Sequence, residues 1–312
     1  MEQSNETAQA PVLFLPVYDT PMLALAVTAI ALLVIFLAAS MGGAWSGLAG
    51  PLLLTTILIG ATLLVSSRFA RRRPPEPSLG PGARTRLWLG EIAAAWSVFL
   101  FWMPLERWLM PRDWPGRRAG ETPVLLIHGY VNNAGSMWRL WRTLRDQGVG
   151  VYTLNLEPVY ADIDHYVPLI EARINAIRAM TGAAQVTLVC HSMGGLAARA
   201  YLRRCIAQHR DAGLAKVVTL GTPHHGTVLA RLEWSPNGRQ MVPGNAWLAR
   251  LSADEHGAWP CPFVSLYSLD DNVVVPQRNA YLEGARNLEL DGIGHISLPL
   301  SRRVIERVRA EI

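Results

Sequence analysis

The sequence predicts an α/β protein with a mostly parallel sheet covered by helices on both faces, preceded by an N-terminal transmembrane helical hairpin. From residue 122 onward, short apolar runs rich in β-branched residues alternate with amphipathic helical patterns. This alternation is typical of a parallel sheet that is buried on both faces. Residues 21–39 and 48–65 are uncharged apolar runs, each near the roughly 20 residues that span a bilayer core. One β-rich run also stops abruptly at Ser192, where small residues and a helical pattern follow.

Composition limits the classes of function that fit. The chain has 312 residues, of which 50% are hydrophobic, and its mean hydropathy is +0.18. The net charge of +5 comes mostly from arginines that form no dense tract with interleaved aromatics, so the expected partner is a membrane surface and not nucleic acid. The three cysteines are irregularly spaced and predict neither a disulfide framework nor a zinc site.

Residues 1–73 are predicted to form the membrane hairpin. Glu2 and Glu6 stand where a secretory signal would need basic residues, so we expect the first span to be retained. Arg68 and residues 71–73, all arginine, follow the second run, which places that end, and with it the amino terminus, in the cytoplasm. The alternative is a pair of buried core helices.

Residues 74–121 combine a Pro/Gly-rich linker with a tryptophan-rich apolar stretch at 87–103 that contains Glu91. Tryptophans with arginines on both sides suit the headgroup region. An interfacial helix is favoured, because the basic flanks give no asymmetry, and it leaves the rest of the chain in the cytoplasm. A third span, which would carry the rest to the periplasm, is the alternative.

Residues 122–312 are predicted to form the sheet domain, with an apolar insertion at about 225–262. The Gly and Pro breaks in this insertion favour a cap or lid over a cleft, and a packed surface excursion is the alternative. The predicted strands are 124–127, 151–156, 186–189, 217–220, 263–267 and 287–290. The predicted helices are 137–146, 163–180, 193–207 and 298–308.

The stretch 186–196 has the strand–turn–helix order of a nucleophile elbow, with Ser192 at the turn. Gly194 would let the strand and helix backbones approach closely. The helix that begins at Met193 would point its amides toward an oxyanion above the serine. Cys190 stands where the G-x-S-x-G pattern has its first glycine, which leaves less room in the turn.

The first strand of this domain ends in His128, Gly129 and Tyr130, where an oxyanion loop is expected. The Tyr130 and Met193 backbone amides are the candidate donors, and losing one such donor costs about two to three orders of magnitude in rate. The side chain of His128 is expected to bond the loop backbone.

A serine nucleophile needs a base and an orienting acid. His295 lies between the last strand and the final helix and follows a glycine, so it is the predicted base. Asp270 and Asp271 both follow the strand before it, and Asp271 is favoured because a valine run that can pack beneath it comes next. The resulting order of Ser, Asp and His along the chain is that of α/β-hydrolases.

Residues 122–312 thus resemble a bacterial lipase/esterase of the α/β-hydrolase superfamily. The resemblance rests on His128-Gly129, the motif at 191–195, the Gly-Thr-Pro-His-His-Gly-Thr segment at 221–227, the Asp271 turn and Gly294-His295. It implies ester hydrolysis through an acyl-serine with no cofactor. The predicted hairpin at 1–73 adds the expectation of a multi-pass anchor in the bacterial inner membrane. The resemblance says nothing about residues 1–110.

The expected substrate is an acyl lipid or another lipophilic ester, and protein partners are not predicted. His224 and His225 are adjacent and lack acidic or cysteine partners at ligand spacing, so no metal site is predicted. An acyltransferase or thioesterase with the same triad, or a catalytically silent interaction module, is the alternative function. The substrate-pocket candidates from the motifs and the insertion are His128, Gly129, His191, His224, Met241 and Trp247.

Overall fold

The computed structural model describes residues 46–69, 79–116, 121–255 and 259–312. The predicted span at 21–39 lies outside these ranges. The helices are α1 (Ser46–Phe69), α2 (Pro81–Leu109), α3 (Trp138–Asp146), α4 (Val167–Thr181), α5 (Met193–Ala207), α6 (Pro236–Gln240), α7 (Ala246–Glu255) and α8 (Arg302–Arg309). The strands are β1 (Asp113–Trp114), β2 (Val124–Ile127), β3 (Val151–Leu154), β4 (Val186–His191), β5 (Leu214–Leu220), β6 (Phe263–Ser268) and β7 (Arg286–Leu290).

The strands form one sheet in the order β1-β3-β2-β4-β5-β6-β7. The pairs from β3 to β7 are parallel, and only the short edge strand β1 runs antiparallel, against β3. This confirms the predicted α/β class with a mostly parallel sheet. The sequence pattern did not predict β1, because two residues are too few to show an alternation of apolar and polar positions.

Apolar side chains of the central strands alternate between two buried clusters. In β2, Leu125 and Ile127 pack on the face covered by α4 and α5, while Val124 and Leu126 pack on the face covered by α3 and α8. Both faces of the sheet are therefore withdrawn from water, which explains why the central strands appear as continuous apolar runs in the sequence.

Two of the predicted helices start with a tighter turn. A 3₁₀ turn over Ile163–Tyr166 precedes α4, and another over Leu298–Leu300 precedes α8. Pro299 lies in the second of these turns, and α8 begins only at Arg302. Pattern alone merges such turns with the helix that follows.

The predicted second span at 48–65 lies within α1, and the predicted stretch at 87–103 lies within α2. Among the described residues, α2 is the helix that is long and apolar enough to cross a membrane, judged by length and composition alone. The membrane hairpin stays a prediction.

The insertion before β6 contains the short helices α6 and α7. Four of its large apolar side chains, Met241, Trp247, Leu248 and Leu251, are buried in the cluster that covers the α4/α5 face. Leu232 and Trp234 remain exposed. Movement of this segment as a lid stays a prediction.

Candidate active site

Ser192 lies in a sharp turn between β4 and α5. Its backbone has φ +53° and ψ −127°, a conformation that a non-glycine residue adopts only when its surroundings hold it there. The Ser192 N–H donates to Leu220 O at 2.9 Å, and its carbonyl accepts from Gly195 N at 3.0 Å. The turn is therefore tied to β5 on one side and to α5 on the other.

Gly194 is required by the close approach of two backbones. A Cβ at this position would lie 2.5 Å from His128 O and 2.8 Å from Ile127 O, so no larger residue fits without moving β2 or α5. Cys190 does not prevent the turn: it is fully buried within β4, opposite Thr219 of β5. Burial raises the pKa of its thiol, so the thiol stays protonated.

The Ser192, His295 and Asp271 side chains form a hydrogen-bonded array at the carboxyl ends of β4, β7 and β6. Ser192 Oγ lies 2.9 Å from His295 Nε2, and His295 Nδ1 lies 2.8 Å from Asp271 Oδ2. The other Asp271 oxygen accepts from the amides of Val273 and Val274, each at 2.8 Å. Both carboxylate oxygens of Asp271 are therefore fixed by hydrogen bonds.

The carboxylate of Asp270, the less favoured candidate from the sequence, has a different partner. Asp270 Oδ2 accepts from the Gly292 amide at 2.7 Å, at the start of the loop that carries His295. The geometry thus pairs His295 with Asp271.

The charge around His295 suits a proton acceptor. Burial lowers its pKa, but the charge and hydrogen bond of Asp271 and the charge of Glu91 raise it, and the net shift is upward from the usual value. His191 lies beside it, with ring centroids 4.8 Å apart. Burial, together with the charge of His295, lowers the pKa of His191 well below its usual range, so His191 adds no competing positive charge.

The loop after β2 lies directly against Ser192. A Cβ on Gly129 would lie 2.8 Å from Ser192 Cβ, so glycine lets the chain pass over the serine toward Tyr130. His128 Nε2 accepts from the Leu156 amide at 2.9 Å, and Nδ1 therefore carries the hydrogen and donates to Gly129 O at 2.8 Å. Its ring holds the loop, as the sequence predicted, and burial lowers its pKa to about 4.

The Gly-Thr-Pro-His segment after β5 also has a structural role in the array. Gly221 adopts φ +55°, and a Cβ there would lie 3.0 Å from Asp271 Oδ2 and 3.3 Å from His295 Nδ1. Thr222 Oγ1 donates to Ser192 O at 2.8 Å. Gly221 thus leaves room for the acid–base pair, while Thr222 holds the serine turn.

Three of the pocket candidates are engaged inside the core. His224 is fully buried and lies 3.2 Å from Thr219 Oγ1 through Nε2. Trp247 Nε1 donates to Asp164 at 2.8 Å. Met241 and Trp247 both pack in the apolar cluster on the α4/α5 face of the sheet. By contrast, Gly129 and His191 adjoin the array. The substrate-lining role of all these residues stays a prediction.

Sequence reasoning missed Asn272 and Glu91. Asn272 Oδ1 accepts from the His295 amide at 3.0 Å, and Nδ2 donates to Thr62 in α1 at 2.9 Å. The available signal for Glu91 was a single carboxylate inside an apolar stretch, which predicts burial with partners. Asn272 gave no signal beyond its place next to Asp271.

Parts of the chain are similar to known proteins. A family model described as palmitoyl protein thioesterase matches residues 123–250. A triacylglycerol lipase of Burkholderia plantarii is 29% identical over 152 residues, covering 44% of this chain and 41% of the relative. A triacylglycerol lipase of Pseudarthrobacter phenanthrenivorans is 32% identical over 120 residues, covering 36% of each. The chain thus matches about two fifths of the length of these curated relatives.

Among solved structures, the mature form of Bacillus licheniformis lipase BlEst2 superposes with a TM-score of 0.54 and 19% identity, covering 64% of this chain and 96% of the other. That likeness shows the fold. Together, the fold, the family model and the named relatives show a similarity to lipase/esterase-type α/β-hydrolases.

Proposed function

We propose that the protein is a membrane-anchored serine ester hydrolase in which Ser192, His295 and Asp271 form the catalytic triad. The observation that carries the proposal is the continuous chain of short contacts from Ser192 Oγ through His295 to Asp271. The strained backbone at Ser192 and the helix that begins directly after it add support, since a nucleophile elbow uses both features.

The reaction follows from this geometry. His295 Nε2 takes the Ser192 hydroxyl proton while Oγ attacks the ester carbonyl, and the Tyr130 and Met193 amides stabilise the oxyanion. His295 returns the proton to the leaving alcohol, and an acyl-enzyme forms. His295 then takes a proton from water, whose oxygen attacks the acyl carbonyl; the bond to Ser192 Oγ breaks, His295 returns the proton to Oγ, and the acid leaves. Asp271 keeps the His295 ring oriented and stabilises its protonated form.

An acyl lipid or another lipophilic ester is the proposed substrate class. The two curated relatives are named triacylglycerol lipases. Beside the Tyr130 loop, the side chains of Tyr160 and Trp234 pack together with ring centroids 5.1 Å apart and are largely exposed. An exposed aromatic surface that contacts Tyr130 would favour an apolar acyl chain.

Membrane attachment through the N-terminal segment belongs to the same proposal, with the hydrolase domain on the cytoplasmic side of a bacterial inner membrane. Beyond the predicted hairpin, α2 exposes Trp88, Leu89, Phe99, Leu100, Phe101, Trp108 and Leu109. An exposed apolar and aromatic surface of this kind suits a bilayer interface. Cell fractionation followed by protease protection in spheroplasts tests the placement; a soluble full-length protein contradicts it, and cleavage from the outside favours the periplasm.

A thioesterase is the second candidate, because the matching family model is described as palmitoyl protein thioesterase. The same triad can attack a thioester carbonyl with a thiolate as the leaving group. Turnover of matched palmitoyl oxyester and thioester substrates separates the two activities.

Hydrolysis of p-nitrophenyl esters by the full-length protein in detergent tests the proposed function, with short and long acyl chains and a fluorophosphonate label. Wild type should turn over and label, while Ser192→Ala should do neither. A long-chain preference supports a lipid substrate, whereas equal rates on soluble short esters and lipid esters contradict it. If wild type neither labels nor turns over, the silent interaction module replaces the enzyme.

A further inference from the structure

One face of α2 packs against the loop that carries His295. Ile92 and Ala95 of α2 are buried in a small apolar cluster with Ile59 of α1, and Ile296 packs against it. A second cluster joins Ala94 and Val98 to Leu300. The segment that follows His295 therefore packs on α2.

Glu91 lies at the centre of this contact and is fully buried. One of its carboxylate oxygens accepts from the Ile296 amide at 2.7 Å. The other accepts from the Ser297 amide at 3.1 Å and from the Ser297 hydroxyl at 2.6 Å. A Cβ on Gly294 would collide with Glu91, so the carboxylate contacts the loop both before and after His295.

Burying a carboxylate is costly unless hydrogen bonds or a partner charge offset the loss of water, because burial penalises the charged form. Burial raises the pKa of Glu91, whereas the Ser297 hydroxyl, the Ile296 amide, the charge of His295 and the Ser297 amide all lower it, with a net upward shift. All three hydrogen-bonding partners are donors, an arrangement that suits the ionised acceptor.

Helix α2 also contacts the loop after β2, which lies against Ser192. Hydrogen bonding in α2 widens to a π-turn over Val98–Trp102, and such turns leave backbone groups available to other partners. Asn133 Nδ2 donates to Met103 O at 2.9 Å, and a Cβ on Gly135 would lie 2.6 Å from the Trp102 carbonyl carbon. Helix α2 therefore contacts the loops after β2 and after β7.

We propose that Glu91 is a positioning residue for hydrolysis, through which α2 holds the His295 loop so that the imidazole lies between Ser192 and Asp271. This inference rests on the proposed function of the triad. Glu91 touches neither the substrate nor the reacting atoms; it acts through the amides of residues 296 and 297. Helix α2 therefore supports the active site and is also a candidate for contact with lipid.

The test compares Glu91→Gln, Glu91→Ala and Ser297→Ala in the full-length protein in detergent, with p-nitrophenyl esters across pH. Glu106→Gln is the matched control, because Glu106 is a buried carboxylate on the same helix. Thermal unfolding and fluorophosphonate labelling are followed for every variant. Wild-type turnover and Ser192-dependent labelling are established first. If the wild type shows neither, the proposed function is contradicted, and this outcome is distinct from a failure of the Glu91 variants to change activity.

Glu91→Ala should lower kcat about 10- to 100-fold with little change in KM, the range expected when a reacting group is misplaced by up to about 1 Å. Ser297→Ala should have a smaller effect, and Glu106→Gln should stay within about twofold of wild type. The groups facing His295 are Asp271, Glu91 and His191. Removing the Glu91 charge should lower the pKa of His295, so the acidic limb of kcat/KM should move to lower pH in Glu91→Gln.

The proposal is overturned if folded Glu91→Ala keeps kcat within about twofold of wild type. It is also overturned if kcat falls only in proportion to the loss of folded protein while the acidic limb stays in place, because Glu91 would then be a purely structural residue.

Discussion

Replacing Gly221 with alanine gives a sharp test of how the Asp271–His295 pair is accommodated. The new Cβ would lie 2.5 Å from Leu298 Cδ1, 3.0 Å from Asp271 Oδ2 and 3.3 Å from His295 Nδ1. An ordinary contact begins near 3.4 Å, so the leucine must move and the acid–base pair must shift by a few tenths of an ångström.

The expected cost has two parts. Alanine at φ +55° costs about 1–2 kcal/mol for the left-handed backbone. Crowding of the buried neighbours adds about 1–3 kcal/mol, so Gly221→Ala should lose about 2–5 kcal/mol in the free energy of unfolding. Because the base and acid are displaced, kcat should fall about 10- to 100-fold.

Gly182→Ala provides the matched control. Gly182 also has a positive φ, +71°, but a Cβ there would meet nothing within 4 Å. It should lose about 1–2 kcal/mol and keep wild-type kcat. Chemical denaturation and ester hydrolysis measure both quantities. Equal kcat in the two folded variants would refute the view that Gly221 makes room for the pair.

Three further changes probe the array. Asp271→Asn should lower kcat by about 10⁴-fold, as expected when the base loses its orienting acid. It should also move the acidic limb of kcat/KM to lower pH, because Asp271 raises the pKa of His295; an unmoved limb would contradict that pairing. Thr222→Val removes the donor to Ser192 O and should lower the free energy of unfolding, measured by denaturant titration, by about 1–2 kcal/mol. An unchanged free energy of unfolding would show that this hydrogen bond does not stabilise the turn. Cys190→Gly should destabilise the strand by about 1 kcal/mol without speeding fluorophosphonate labelling, whereas faster labelling would mean that the cysteine restricts the turn.

The contacts of α2 bear on how lipid and catalysis are connected. One face of the helix holds the His295 loop through Glu91, while Trp88 and Leu89, close in sequence, are exposed. A membrane-associated helix in this position would support the reacting groups directly. Helix α2 and the proposed active site are then adjoining parts of one structural unit.

Local pattern predicted the strands well where burial on both faces makes them uniformly apolar, as in β2 and β4. It also predicted the elbow at Ser192, because a sharp turn restricts which small residues can follow the strand. The choice between Asp270 and Asp271 was harder, since adjacent residues share the same local signal. Their different partners arise from the path of the Asp271–Val274 turn and of the loop after β7.

The sequence by itself determined the α/β class, the order of strands β2 to β7 and of most of the helices, and Ser192 and His295 as members of the array, with Asp271 favoured over Asp270. Each of these features can be recognised from a short stretch of sequence, through apolar periodicity, a glycine or a motif. Tertiary structure alone decided that Glu91 and Asn272 hold the His295 loop and that Gly221 gives the acid–base pair its space. Those contacts join segments far apart in the chain, and their hydrogen bonds and close approaches arise only when the sheet brings the loop ends together.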